Sequence, residues 1–172
     1  QLETESPVTC GCRSSEDCFL LGHADGSISS IGSDILSDSG SNSLVTDIYN
    51  LGSEWISGHD DGSIRMNENQ HRILGSIDSV SVLDKDGWAS SWNGSETQIT
   101  ILGDTTNTIP HNARVRQMHS SDVRLVVGDE QGRLFLLEAE IVERRLSESG
   151  DSNEISDQNS EIRARLRMLR NR

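Results

Sequence analysis

The stretch LVVGDEQGRLFLLEAE, residues 125–140, sets an apolar run, a polar turn bracketed by Gly128 and Gly132, and a second apolar run that ends in acid. Met once, it is a β-hairpin; met repeatedly, it decides the fold. Two upstream segments align with it: CFLLGHADGSISSIG from Cys18, with Gly22 and Gly26, and WISGHDDGSIRMNE from Trp55, with Gly58 and Gly62. In a fourth copy, WASSWNGSETQITIL from Trp88, Ser91 is expected to take the first glycine's place, with the turn ending one residue sooner, at Gly94. The first-glycine positions then fall at 22, 58, 91 and 128, spaced by 36, 33 and 37 residues. Self-similarity at that period is the mark of a repeat architecture.

Within each copy the local chemistry favours a hairpin. Asp25-Gly26, Asp61-Gly62 and Asn93-Gly94 tolerate the positive φ that tight turns matched to strand twist require. Apolar and β-branched flanks such as Phe19, Leu20, Leu21, Ile28, Val126, Val127 and Leu134 suit strands. Between the hairpins lie further strand candidates, residues 8–12, 44–49, 77–82 and 115–119, the last three placing apolar residues near period two. A short segment follows each hairpin, as at 34–37 and 72–74. Four short strands per repeat of this length make one blade of a β-propeller, so the expected fold is all-β, with about four four-stranded blades over residues 1–140.

ISGHDDGSIRMNE resembles the second and third strands of a WD-repeat, where a small residue, an Asp-Gly turn and a β-branched residue precede a terminal Trp-Asp pair. Asn67-Glu68, Leu137-Glu138 and Ile31-Gly32 stand where that pair would fall, and none is Trp-Asp. The two Gly-His pairs also lie inside the hairpin, whereas the family's lies ahead of its first strand. LVVGDEQGRLFLLEAE is similar in addition to a quinoprotein-like propeller repeat. Four blades stand at the low end of the range for rings, ~4 to 8. The chain is therefore expected to be part of a longer propeller, or to self-associate and complete a ring, because an unclosed array exposes a strand edge.

A formal charge of −13 over 172 residues argues against nucleic-acid binding by the propeller, since phosphates demand Lys and Arg. No apolar run approaches the ~20 residues that span a bilayer. Cys10, Cys12 and Cys18 form an odd set in the first repeat, which does not read as a disulfide framework; a reducing, cytoplasmic setting is the expectation.

Past the last repeat, residues 141–160 open with a short helical pattern and pass into an acidic, Ser-rich linker with little to bury. The terminal EIRARLRMLRNR, residues 161–172, reverses sign: one acid against five arginines gives a local +4 and leaves −17 for the rest. Ile162, Leu166 and Leu169 recur at helical spacing, so a basic amphipathic helix is expected, too short to be stable without a surface to dock on. Arg163, Arg165, Arg167 and Arg170 are its candidate partner contacts, with the partner unidentified. An ordinary solvated charged terminus is the competing account.

Cys10, Cys12, Cys18 and His23 are the one metal candidate. Zinc sites usually space paired cysteines by two to four residues, and small buried strand thiols explain the set more simply. His23 and His59, beside Asp25 and Asp61, occupy equivalent hairpin positions, which repetition alone accounts for. No Walker loop, nucleophile elbow or His-Glu-x-x-His motif occurs. Trp55 and Trp88 read as core, and Trp92, in a turn, as a partner-contact candidate. The WD-repeat resemblance implies a non-catalytic scaffold without cofactor that binds other proteins through its rims. The quinoprotein-like resemblance implies an enzymatic or assembly role, and the arginine helix would suit an adaptor for RNA or an anionic membrane.

Overall fold

The computed structural model describes residues 5–15, 18–32, 37–38, 42–51, 54–66, 69–121, 123–142 and 144–145. Among the described residues, fifteen strands form four antiparallel sheets. The first contains β1 (Val8–Ser15), β2 (Cys18–His23), β3 (Ile28–Ile31) and β4 (Ser37–Asp38). The second contains β5 (Val45–Leu51), β6 (Glu54–His59), β7 (Ser63–Met66) and β8 (Asn69–Arg72), and the third β9 (Ser76–Leu83), β10 (Asp86–Trp92), β11 (Thr97–Leu102) and β12 (Thr106–His111). The fourth has three described strands, β13 (Val115–Ser120), β14 (Arg124–Asp129) and β15 (Leu134–Glu138). Every sheet is an open meander whose spatial order follows the chain.

Each repeat hairpin is fixed by its own turn residue. Asp25 Oδ1 accepts from the Ser27 N–H and hydroxyl at 3.0 and 2.6 Å, and Asp61 Oδ1 from those of Ser63 at 3.0 and 2.5 Å. Asn93 Oδ1 does the same for Ser95 and takes the Glu96 N–H as well. The next residues, Gly26, Gly62 and Gly94, have φ of 82°, 84° and 101°, where a side chain would strain the backbone.

A β-bulge recurs at one step of all four sheets. Opposite it pair Val8 with His23, Val45 with His59, Ile77 with Ser91 and Val115 with Asp129; beyond it, Cys10 pairs with Gly22, Asp47 with Gly58, Ser79 with Ser90 and Gln117 with Gly128. Ser90, and not the expected Ser91, therefore stands in the glycine's place, and the equivalent positions are 22, 58, 90 and 128. The extra residue of a bulge changes which residues oppose each other without leaving a mark in the hydrophobic pattern. The second repeat's last strand also lies at Asn69–Arg72, ahead of the 72–74 expected, and the segment expected at 34–37 meets the described residues only at β4.

Sheets pack face to face in chain order. Leu20 and Ile28 of the first meet Val45, Ile48 and Trp55 of the second in one core cluster. Ile56 and Ile64 of the second meet Ile77, Val80, Val82, Ala89 and Leu102 of the third in another. Trp55 and Trp88 are buried as expected. The cysteines form no disulfide.

The chain divides into two compact units, Gln1–Leu136 and Leu137–Arg172. In the second, the described residues are the end of β15 and a helical turn at 139–142 and 144–145. The linker and the arginine segment, with Arg163, Arg165, Arg167 and Arg170, lie outside the described residues. Among the described residues no helix is long and apolar enough to cross a membrane.

Candidate functional site

The first strands of the four sheets, β1, β5, β9 and β13, together border a cavity of about 370 Å³. Gly11, Cys12 and Arg13 line it from β1, Asp47 to Asn50 from β5, Val80 from β9 and Gln117 to His119 from β13. Its polar groups hold one another across the sheets. Asp47 Oδ2 accepts from Ser79 Oγ at 2.7 Å and from the Val80 N–H at 2.9 Å, while Oδ1 takes the Ile48 N–H at 2.9 Å. Ser79 Oγ in turn accepts from the Met118 N–H at 2.9 Å. One carboxylate thus ties together the second, third and fourth sheets.

A hydroxyl relay runs beside it. Ser81 Oγ donates to Ser120 Oγ at 3.0 Å, and Ser120 Oγ to Tyr49 Oη at 2.8 Å. The Tyr49 ring meets His119 edge-on, with centroids 6.1 Å apart. Asn50 Nδ2 donates to the Ser14 carbonyl at 2.9 Å and Thr9 Oγ1 to that of Val45 at 2.6 Å, joining first sheet to second.

Burial pushes the Asp47 carboxyl above its ordinary range, in spite of the Val80, Ser79 and Ile48 hydrogen bonds that oppose it. Burial, reinforced by the charge of Asp47, likewise raises the Cys10 and Cys12 thiols to about 11. At neutral pH both are protonated, and a protonated thiol is a poor nucleophile. The cavity is lined by a polar seam whose groups satisfy each other, an arrangement suited to holding sheets in register.

The metal candidates do not converge. His23 Nδ1 lies 3.1 Å from the Ser6 carbonyl and its Nε2 2.7 Å from Ser29 Oγ, so both nitrogens serve the first sheet's own frame. Cys10 and Cys12 border the core between first and second sheets, and Cys18 is buried in β2. Among the described residues no three His, Cys, Asp or Glu side chains gather as a metal site. His59 repeats the pattern of His23, with Nδ1 3.0 Å from the Ser43 carbonyl and Nε2 3.1 Å from Ser57 Oγ.

Asp129 occupies this place in the fourth repeat and works differently. Its Oδ1 takes the Gln131 and Arg133 N–H groups, both at 3.0 Å, and its Oδ2 meets Arg133 Nη2 at 2.7 Å and His111 Nε2 at 3.2 Å. Burial would raise this carboxyl, but the hydrogen bonds from Arg133, His111 and Gln131 outweigh it and hold it at about 2.

Trp92 ends β10 and is half-buried, with the Arg114 guanidinium 5.7 Å from its ring centroid. Arg114 itself forms a fork with Asp78 at 2.8 and 2.6 Å, so this aromatic belongs to the junction of third and fourth sheets. Asp47, Ser79, Tyr49 and Ser120 were absent from the sequence-based candidates. The signal for Asp47 was present, an acid inside the apolar strand VTDIYNL.

No family model and no curated protein matches the chain. Solved structures do. The computationally designed Ika4 protein matches at a TM-score of 0.61 with 18% identity, over 79% of this chain and 93% of its own. The computationally designed Ika8 protein matches at 0.61 with 17% identity, over 78% of this chain and 46% of its own, so the match spans about half of that longer chain. Both neighbours are designed β-proteins, and the likeness establishes an all-β fold of antiparallel sheets.

Proposed function

We propose that the four sheets are successive blades of a β-propeller of WD-repeat type, and that the domain is a non-catalytic scaffold that binds other proteins. Sequential meanders, a bulge repeated at one step of every sheet and first strands gathered around one cavity support the propeller arrangement. The observation that carries the binding role is the row Val126, Leu134 and Leu136, large apolar side chains exposed on the last sheet. Contiguous apolar surface of this kind marks protein–protein contact.

A photo-crosslinking residue at position 134 tests the role, with one at position 104, on an exposed turn, as control. Discrete protein adducts are expected from position 134 and none from position 104, whether the captured protein is another chain or another copy of this one. Equal labelling from both positions, or none from 134, would overturn the scaffold reading.

A further inference from the structure

Successive sheets meet by a repeated knob and hole. At the first two junctions the β-branched residue at the bulge seats on the glycine of the sheet before it: a Cβ placed on Gly22 would lie 2.6 Å from Val45 Cγ1, and one placed on Gly58 would overlap the Ile77 side chain; in the third sheet Ser90 stands at the glycine's step. Val45, Ile77 and Val115 are each 0% exposed. Val8, at the same step of the first sheet, is 47% exposed. Gly128, at the glycine step of the last sheet, has its hole open: an added Cβ there would meet only Leu134 Cδ2 at 3.5 Å and the Gln117 carbonyl oxygen at 3.8 Å. The array thus has one knob without a hole and one hole without a knob.

The surrounding positions follow the same rule. On the face that each sheet turns to its successor, Leu20, Ile56 and Trp88 are buried, whereas their equivalent Val126 is 39% exposed. Ile28 and Ile64, opposite the glycines in the ladder, are buried, and Leu134 beside Gly128 is 78% exposed. On the face turned to the predecessor, Trp55 and Leu125 are buried and Phe19 is 46% exposed. The uncovered apolar surface on the first and last sheets is the two halves of one more interface of the kind the chain already contains at Gly22 with Val45 and at Gly58 with Ile77.

We infer that a second copy of this chain supplies the missing halves. Val8 and Phe19 of each copy seat on Gly128, Val126 and Leu134 of the other, so that two four-sheet units close a two-fold symmetric ring with both interfaces satisfied. This inference rests on the propeller reading above and names the partner of its exposed face. What favours a second copy is that the interface is continuous in design with those between the chain's own sheets, where Val45 and Ile77 seat on Gly22 and Gly58. Each copy carries −13, so added salt should tighten the association by screening their repulsion.

Sedimentation of the full chain tests this directly. The expected species has twice the 18.9 kDa chain mass. Val8→Asp, which spoils the knob, and Gly128→Trp, which fills the hole, should each weaken dimerisation at least tenfold with circular dichroism and monomer unfolding unchanged. Mixing the two variants should restore a dimer, because one intact knob and one intact hole remain between them; restoration is the signature of this head-to-tail pairing, and its absence alongside a wild-type dimer would overturn it. A chain that stays monomeric while the residue-134 crosslinker still captures another protein would overturn the second copy and leave the scaffold reading standing. An intrachain disulfide in a monomeric Val8→Cys, Gly128→Cys variant would overturn both, since the ring would then close on itself and bury the face. Loss of the dimer on deleting residues 146–172 would overturn it in favour of the tail as occupant.

Discussion

The second sheet and the fourth are built on the same hairpin, with the same bulge and the same glycine beside it, yet the second has both faces covered and the fourth only one. Ile56 and Val126 occupy one step of the repeat; the first is sealed and the second stands in solvent. Residue type therefore does not decide burial here, because position in the array does. In a repeat protein each unit buries its faces on its neighbours, so the end units hold apolar surface that the internal ones have already used.

The sharpest way to break this comparison is to fill both glycine positions. Gly58→Val would drive a side chain into Ile77 and is expected to cost about 3 kcal/mol or more, the upper range for overpacking a core. Gly128→Val meets only ordinary van der Waals contact, with Leu134 Cδ2 and the Gln117 carbonyl, and should change the stability of the separated monomer by less than about 0.5 kcal/mol. Urea unfolding at a concentration low enough to keep copies apart measures both. Equal losses would show that the last sheet's face is covered after all. Truncating the knobs is the milder version: Val45→Ala should cost about 2 kcal/mol, from two lost methyl groups and the cavity left behind, and Val8→Ala under about 0.5 kcal/mol.

The parts that depend on a few adjacent residues were legible in the sequence; the parts that depend on neighbours were not. Asp25, Asp61 and Asn93 announce their turns because an Asx side chain captures the N–H two residues on, a matter of local geometry. The strands at 44–49, 77–82 and 115–119 could be read because apolar residues near period two mark a half-buried strand. The bulge could not, and it moved the third repeat's register by one residue. β12 (Thr106–His111) carries no alternating apolar set and contains Pro110, which an edge strand accepts. Of the candidate site, Cys12 alone had been singled out among the cavity's lining residues, because Asp47, Tyr49 and Ser120 acquire their roles only when sheets distant in sequence meet.

If turns are local and faces are shared, turn mutations should ignore position in the array. Asn93→Ala is expected to cost about 1 kcal/mol through the hydrogen bonds it accepts. Asp25→Ala in the first sheet and Asp61→Ala in the second should lower the thermal midpoint equally, although one sheet is terminal and the other internal. A markedly larger effect in the second sheet would mean that turn and face are coupled.

The same division predicts opposite pH responses from carboxylates at turns and at the seam, the smallest effect because Asp61 is partly exposed and salt weakens it. Hydrogen bonds from Ser63 hold Asp61 at about 2, below its ordinary 3.8, and those from Arg133, His111 and Gln131 hold Asp129 there against its burial. A carboxyl with a depressed folded pKa stabilises fully above its unfolded value, and that contribution is lost as pH falls from 3.8 towards 2. Asp47 is raised by burial, so between 3.8 and its folded value the native state holds the proton more tightly and stability falls as pH rises. Asp61→Asn and Asp129→Asn should accordingly flatten the acid limb below pH 3.8, whereas Asp47→Asn should flatten the slope above it. Denaturant melts across that range read the difference. If Asp47→Asn instead changed the limb below 3.8, the carboxylate would be acting as a local cap like the turn acids, and the cavity seam would not be what joins the sheets.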